Sequence, residues 1–313
     1  MPETPELAGI VVPLLTPTDR DDRVDERPLR QLVSKLIDAR VDGLFVGGSA
    51  GSGPLLVDRE WERLAEIVHD AVNGRVPLMA GAQDTSTRRV VDKVKRLGKI
   101  GYRYVVVTPT YYVATTTADE HLRLFGACRD AVEKVEIIPY NIPQVTNSVI
   151  AAETMTRMAR DGWIRYCKES SGDLDYLRRL VTEGGEAGLK VFAGEELNAA
   201  TALRIGAVGL VPVCANLEPS PYLKMMEAVA RRDEEALNRL QDRIRTLVQA
   251  MVRGGPCWLS GPMYALGRLG FGLGTPVSPL PPAGPEQMAR IDELVGKDQG
   301  YGGDRPADSG SAP

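Results

Sequence analysis

The chain has 313 residues, of which 43% are hydrophobic and 26% charged, a balance that is typical of globular proteins and allows a substantial core. Its 38 Lys and Arg residues against 42 Asp and Glu residues leave a formal net charge of −4, without a basic block, which argues against non-specific binding of nucleic acid. No apolar stretch is as long as a membrane span, and the first residues lack the features of a signal peptide, so we expect a cytoplasmic protein that binds no membrane.

Short β-rich runs alternate with segments of helical periodicity along most of the chain. The runs predict eight strands, at residues 9–15, 43–47, 77–82, 104–108, 136–140, 164–168, 190–193 and 209–213. The segments between them predict helices at residues 29–39, 86–97, 119–132, 151–159, 174–181, 195–205 and 219–230. One more predicted helix is capped by Asp58, carries an apolar stripe from Trp61 to Val72, and ends at Asn73-Gly74.

Eight strand–helix units in residues 1–230 predict a closed TIM (β/α)8 barrel, with an open doubly wound sheet as the alternative. Three later helical patterns, at 233–251, 258–269 and 285–295, predict an additional C-terminal helical region, which we place at 231–296. Residues 297–313 are rich in Gly, Asp, Ser and Pro and lack apolar periodicity, which predicts a disordered tail.

A glycine-rich segment, GGSAGSG at 47–53, follows the second predicted strand. It is neither a dinucleotide fingerprint nor a P-loop, because G-x-G-x-x-G cannot be placed on it and no GK[ST] follows. It matches the G-x-S-x-G elbow of α/β-hydrolases, but neither of the two histidines, His69 and His121, comes late enough in the chain to serve Ser49 as a base. Two interpretations remain: a tight turn, or a nest of backbone N–H groups that binds a carboxylate or phosphate.

The cysteine pattern argues against both a disulfide framework and a zinc site. Four cysteines lie far apart without a CxxC pair, at Cys128, Cys167, Cys214 and Cys257. We interpret them as reduced thiols of an intracellular protein.

Lys168 is the only one of nine lysines at the C-terminal end of a predicted barrel strand, the face on which barrel enzymes carry their active sites. Burial there lowers the pKa of an amine and makes it a nucleophile towards a carbonyl. Tyr140 ends the preceding strand at the same level, where a phenol can relay protons during imine formation. The alternatives are structural: a Lys168–Glu169 ion pair at a strand end, and an ordinary buried tyrosine.

Several motifs together carry a resemblance to a known family: GGSAG at 47–51, TPTYY at 108–112, PYNIP at 139–143, YCKESSG at 166–172 and GLGTPVSPL at 272–280. In this order they resemble the dihydrodipicolinate synthase/N-acetylneuraminate lyase family of class I aldolases, from about Gly9 through the C-terminal helices. The resemblance implies a barrel enzyme that binds pyruvate or a related 2-oxo acid as a lysine Schiff base. It also implies no metal or organic cofactor, and a homotetramer or dimer.

The resemblance further implies roles for individual residues. Lys168 is expected to be the Schiff-base lysine, Tyr140 the proton shuttle and Ser49 the first hydroxyl of the family's loop. Tyr112, or Tyr111, is expected to be the tyrosine that reaches the site of a neighbouring subunit. We expect the substrate to lie against Gly48, Ala50, Val145, Ser170, Gly194 and Val213.

Departures from the family pattern bear on the substrate. Ala50 and Ser52 replace a second hydroxyl and an acid of the family loop, and Val145 stands where synthases that use aspartate semialdehyde carry an arginine. The acidic pair of sialic-acid lyases is present only in part, as Glu195-Glu196, and Val213 stands near their serine position. We therefore expect a lyase or aldolase with an unassigned aldehyde partner. The alternatives are a 4-hydroxy-tetrahydrodipicolinate synthase, a 2-keto-3-deoxy sugar acid dehydratase, or a catalytically silent binding or regulatory relative.

Overall fold

The computed structural model describes residues 6–295, and eight parallel strands at its centre close into a barrel. Each strand pairs with the next along the chain, and the eighth pairs with the first. The strands are β1 Gly9–Pro13, β2 Gly43–Val46, β3 Leu78–Gly81, β4 Tyr104–Val107, β5 Glu136–Asn141, β6 Tyr166–Glu169, β7 Lys190–Ala193 and β8 Gly209–Leu210. This closed order confirms the predicted TIM (β/α)8 barrel and excludes the open sheet.

Helices follow the strands and surround the barrel. Those between β1 and β5 are α1 Glu26–Asp38, α2 Asp58–Val72, α3 Thr87–Ile100 and α4 Ala118–Asp130. Those from β5 onwards are α5 Pro143–Thr146, α6 Ala152–Arg160, α7 Leu174–Arg179, α8 Ala199–Ile205 and α9 Ser220–Arg231. The C-terminal helices are α10 Glu234–Met251, α11 Ser260–Arg268 and α12 Pro285–Val295.

The alternation of side chains along each strand builds two apolar layers. Val11 and Val106 belong to the cluster that fills the barrel interior. Their chain neighbours Ile10 and Val105 point the other way, into the layer between strands and helices. Because both faces of every strand are covered, the strands are short, continuous apolar runs.

The eighth strand is shorter than its apolar run suggested. It covers two residues instead of 209–213, and Val213–Asn216 forms a 3-10 turn. The backbone N–H of Val213 leaves the barrel ladder and donates to the carboxylate of Glu196 at 2.9 Å. A side chain from the preceding strand–helix connection therefore ends β8, which strand propensity cannot reveal.

Three helical predictions also need correction at their ends. Asp58 is the first residue of α2, and Val57 occupies the N-cap position. The helix predicted at 195–205 begins with a separate 3-10 turn, Glu196–Asn198, and α7 continues into a π-helical turn, Leu180–Gly184. The short helix α5 was not predicted, because four residues are too few to display helical periodicity.

The C-terminal helices pack onto the barrel through α10, which contacts α9, α11 and α12. Gln241 of α10 accepts a hydrogen bond from Ala200 N (2.8 Å) and donates to the carbonyl of Glu196 (3.0 Å). These bonds fix α10 against the connection that follows β7. The proposed division at residues 230 and 231 stays a prediction, and the predicted tail at 297–313 lies outside the described residues. Between residues 6 and 295, no helix has both the length and the apolarity needed to span a membrane.

Candidate active site

Lys168 points into the barrel at the C-terminal end of β6. Its Cα is paired in register with Tyr140 of β5 on one side and with Phe192 of β7 on the other. The amine Nζ lies 4.0 Å from the centroid of the Tyr140 ring and 5.0 Å from that of Phe45. The residue is 6% exposed. The ammonium form therefore loses most of its hydration among aromatic faces.

This environment changes the protonation of the amine. Burial lowers the pKa of Lys168 to about 7, and the negative charge of Glu196 opposes that shift. The ion pair with Glu169, considered above as an alternative, is not formed. The Glu169 carboxylate instead accepts hydrogen bonds from Asn141 Nδ2 (2.8 Å), Ser171 N (2.5 Å) and Ser171 Oγ. Lys168 thus carries a large neutral fraction at neutral pH.

The Tyr140 hydroxyl belongs to a small group of hydroxyls beside this amine. It interacts through hydrogen bonds with the side chains of Ser170 and Ser49, and burial raises its pKa. The backbone N–H of Ser170 donates to Asn141 O at 3.0 Å, which holds β6 and β5 together at this point. A protonated phenol linked to two hydroxyls can receive and return protons without being lost to solvent.

The glycine-rich loop folds tightly at the end of β2. Gly47 has φ +61° and Ser52 has φ 56°, both in the left-handed region. A Cβ on Gly53 would lie 1.9 Å from the carbonyl oxygen of Gly47, so the loop closes on itself. Among the described residues, the backbone N–H groups of Ser49 and Ala50 have no hydrogen-bond acceptor. Both residues line the cavity, which supports the anion-nest interpretation.

Two further glycines make room for the site. A Cβ on Gly194 would lie 2.1 Å from Ser170 Oγ and 3.2 Å from Lys168 Cε. A Cβ on Gly48 would lie 2.5 Å from the ring of Phe45, the ring beneath the amine. Glycine at both positions lets the side chains around Lys168 approach the backbone closely.

One cavity of about 340 Å³ brings most of the predicted residues together. Eight of the ten candidates line it: Ser49, Ala50, Tyr140, Val145, Lys168, Ser170, Gly194 and Val213. Gly48 does not line the cavity and instead lies against the ring of Phe45. Sequence reasoning missed several other lining residues, most of which come from the last turn of α10 and its connection to α11: Val211, Val248, Val252, Arg253 and Trp258.

Tyr112 lies apart from these residues. Its side chain is 96% exposed, next to Val113 at 73%, and its backbone φ is 76°. Tyr111 is half-buried, and burial raises its pKa. Neither tyrosine lines the cavity of its own chain, so any role in catalysis requires a second subunit.

Glu196 is a buried carboxylate of this site whose contacts could not be predicted. It accepts hydrogen bonds from the backbone N–H groups of Val213 (2.9 Å) and Cys214 (3.3 Å) and from the hydroxyl of Tyr222. Burial raises its pKa to about 7. The sequence offered only one signal, the adjacent acidic residues 195–196 after a barrel strand.

Both histidines make their contacts with residues other than Ser49. His121 Nε2 shares a hydrogen bond with Ser148 Oγ at 3.0 Å, and the His69 ring lies 5.5 Å from that of Tyr102. Ser49 therefore has no histidine base, in agreement with the rejection of a hydrolase. Over residues 6–295, no three His, Cys, Asp or Glu side chains are close enough together to hold a metal ion.

Comparison with known proteins identifies the family. The model of the dihydrodipicolinate synthetase family matches residues 6–296. The chain belongs to this family. A DapA-like lyase of Halobacterium salinarum, itself uncharacterized, is 33% identical over 276 residues, 88% of each chain. The 4-hydroxy-tetrahydrodipicolinate synthase of Thermomicrobium roseum is 31% identical over 283 residues, 90% of this chain and 92% of its own. The protein is accordingly an enzyme, a lyase of the class I aldolase type.

Solved structures confirm the fold. Dihydrodipicolinate synthase from Aquifex aeolicus superimposes with a TM-score of 0.86 at 24% identity, covering 92% of this chain and 97% of that one. CdNal from Clostridium difficile, solved in complex with mannosamine, gives a TM-score of 0.85 at 22% identity, with coverage of 93% and 99%. At these identities the likeness concerns the fold alone, since members of one barrel family differ in substrate.

Proposed function

We propose that the enzyme binds pyruvate or a related 2-oxo acid as a Schiff base on Lys168 and makes or breaks a carbon–carbon bond with an aldehyde. The observation that carries this proposal is the state of the Lys168 amine. It lines the cavity, is buried against two aromatic rings, and has a pKa lowered to about 7. A neutral amine is the form that attacks a ketone.

The glycine-rich loop supports the orientation of the 2-oxo acid. The unpaired backbone N–H groups of Ser49 and Ala50 can both donate to its carboxylate, which directs the neighbouring ketone towards Lys168. Ala50 supplies no hydroxyl to this contact, so the loop binds the carboxylate through its backbone and Ser49.

The proton steps fall to the hydroxyls around Tyr140. The Lys168 amine adds to the ketone carbon, and the carbinolamine oxygen takes a proton and leaves as water. The protonated imine then gives up a proton from C3, and the enamine attacks the aldehyde carbon, whose oxygen takes a proton. Water hydrolyses the new imine, releases a 4-hydroxy-2-oxo acid and restores the amine. Tyr140, with Ser49 and Ser170, is the group placed to relay these protons.

A second candidate is a 4-hydroxy-tetrahydrodipicolinate synthase, the activity named for the Thermomicrobium roseum relative. One observation favours it: Arg253 lines the same cavity and could hold a second carboxylate. Two observations weigh against it. Arg253 is already paired with Glu195 at 3.3 Å, and Val145 replaces the arginine expected near the second substrate. We rank the synthase second for this reason.

The proposal includes a homo-oligomer. Tyr112 and Val113 form an exposed apolar tip on the connection between β4 and α4, and such a tip is more stable when covered. In the family pattern a tyrosine of this connection completes the site of a neighbouring subunit. We assign that role to Tyr112 or Tyr111.

Borohydride trapping tests the proposed function. The protein is incubated with pyruvate, reduced, digested and analysed by mass spectrometry, and the reduced pyruvyl group is expected on the Lys168 peptide. Lys168→Ala should abolish the adduct. Lys35→Met is the matched control, because Lys35 also has a pKa lowered by burial, to about 8, yet its amine donates to the carbonyls of Asn216 and Leu217. An adduct that survives in Lys168→Ala would overturn the assignment.

A further inference from the structure

The cavity continues beyond Lys168 to a wall of apolar side chains. They come from α5, from the segment after β8, from α10 and its C-terminal end, and from the connection to α11: Val145, Val211, Val213, Val248, Val252 and Trp258. Val145 is 47% exposed and Trp258 37%, so both present apolar surface at the mouth of the cavity. Apolar surface in a cavity next to a reactive amine is suited to cover an apolar part of the substrate.

The polar side chains of this outer region are few, and Gln144 and Arg253 each already make a contact with a neighbouring group. Gln144 Nε2 donates to the carbonyl oxygens of Ser170 and Ser171, each at 2.9 Å. Arg253 is paired with Glu195, which also accepts from Leu197 N at 3.2 Å. A polyhydroxylated chain needs a partner for each hydroxyl that it buries, and a second carboxylate needs a free cation. The outer region offers few such partners, and its one cation, Arg253, would have to share its guanidinium with Glu195.

We propose that the aldehyde partner of this enzyme is apolar, and aromatic in preference, with its ring against Trp258 and the valines of this wall. The inference rests on the Schiff-base function proposed above and specifies its second substrate. The enamine carbon C3 bonds to the carbonyl carbon of the aromatic aldehyde, whose oxygen takes a proton. Hydrolysis of the imine then releases a 4-aryl-4-hydroxy-2-oxobutanoate. In the opposite direction this acid is cleaved to pyruvate and the aldehyde.

The test compares three aldehydes with the full-length protein and pyruvate: benzaldehyde, glyceraldehyde and aspartate semialdehyde. Steady-state consumption of pyruvate gives kcat/KM for each aldehyde. We expect the value for benzaldehyde to exceed the other two by at least tenfold. Trp258→Ala should lower kcat/KM for benzaldehyde about tenfold, mainly through KM, because it removes an aromatic contact with the substrate. A tenfold change corresponds to about 1.4 kcal/mol, the size expected for one such contact. Trp258→Phe should restore most of it.

Leu273→Ala serves as the control, since Leu273 is also a half-exposed large apolar residue, 51% exposed, but does not line this cavity. It should leave all three values unchanged. If pyruvate is trapped on Lys168 while glyceraldehyde or aspartate semialdehyde is preferred, this inference is overturned and the proposed function stands. If neither pyruvate nor another 2-oxo acid is trapped on Lys168, both are overturned. Equal benzaldehyde kinetics in Trp258→Ala and the parent enzyme would also refute the role of the wall.

Discussion

The pH dependence of imine formation gives the most direct test of how the fold prepares Lys168. Burial lowers the pKa of the amine from 10.5 to about 7. At pH 7 about half of such amines are neutral, whereas an ordinary lysine is neutral in roughly one molecule in 3,000. The structure therefore supplies on the order of a thousandfold more nucleophile. Because the group is a base with a lowered pKa, the neutral fraction rises with pH and is nearly complete one unit above 7.

The perturbation is the substitution Glu196→Gln, which removes a negative charge while keeping the shape of the side chain. That charge favours the ammonium form of Lys168. Its removal should move the midpoint of the low-pH limb to a lower pH. The pKa of Glu196 is itself raised to about 7, so Glu196 becomes charged over the pH range in which Lys168 becomes neutral. The difference between the variant and the parent enzyme should therefore grow above neutrality.

The assay mixes enzyme with labelled pyruvate at pH values from acid to alkaline and quenches each sample into borohydride at one fixed pH. The initial rate of adduct formation then reports on the amine rather than on the hydride donor. Glu186→Gln, the same chemical change at an exposed residue, should leave the midpoint in place. A midpoint near 10 in the parent enzyme would refute the argument from burial. A rise of the midpoint in Glu196→Gln would refute the electrostatic coupling.

Three further predictions concern the relay, the backbone and the barrel closure. Tyr140→Phe should lower turnover about 10²–10⁴-fold while folding is retained, since it removes only the hydroxyl of a proton relay; steady-state kinetics and circular dichroism measure this. Gly194→Ala should abolish or strongly slow pyruvate trapping, because the new Cβ would lie 2.1 Å from Ser170 Oγ and displace the surroundings of the amine. Asn216→Ala should reduce the free energy of unfolding by about 2–5 kcal/mol in urea titrations, since it leaves the N–H of Leu15 and the carbonyl of Pro13 buried without partners.

Each of these has a contrary outcome, and the glycine and asparagine variants each have a matched control. Unchanged turnover in Tyr140→Phe would reduce Tyr140 to a packing residue. For the glycine, Gly185→Ala is the matched substitution, because a Cβ there meets nothing within 4 Å, and equal loss of trapping in both variants would contradict the steric argument. For the asparagine, Asn238→Ala removes an exposed amide from α10 and should cost far less. Equal destabilisation by both would contradict the role of Asn216.

The sequence by itself determined the order of strands and helices and the position of Lys168 and Tyr140 at one rim of the barrel. Apolar runs separated by helical periods occur eight times, and the parallel pairing of such units leaves closure into a barrel as the arrangement that buries both faces of every strand. Lys168 and Tyr140 end neighbouring strands, so their position at one rim follows from strand order alone. Their inward direction follows from the same period of two that places Tyr166 and Ile138 in the interior.

Only the tertiary structure decided what surrounds these residues. Phe45 comes from a strand more than 100 positions away, and Val248, Val252 and Trp258 come from helices and connections beyond the barrel. In the sequence Val248 is an ordinary member of the apolar stripe of α10, and Val252 continues that spacing just beyond the end of the helix. Apolar residues spaced four apart predict that one face of a helix is buried. They do not predict which of these side chains pack in the core and which border a cavity. Contacts between distant elements depend on how those elements dock, and local periodicity carries no information about docking.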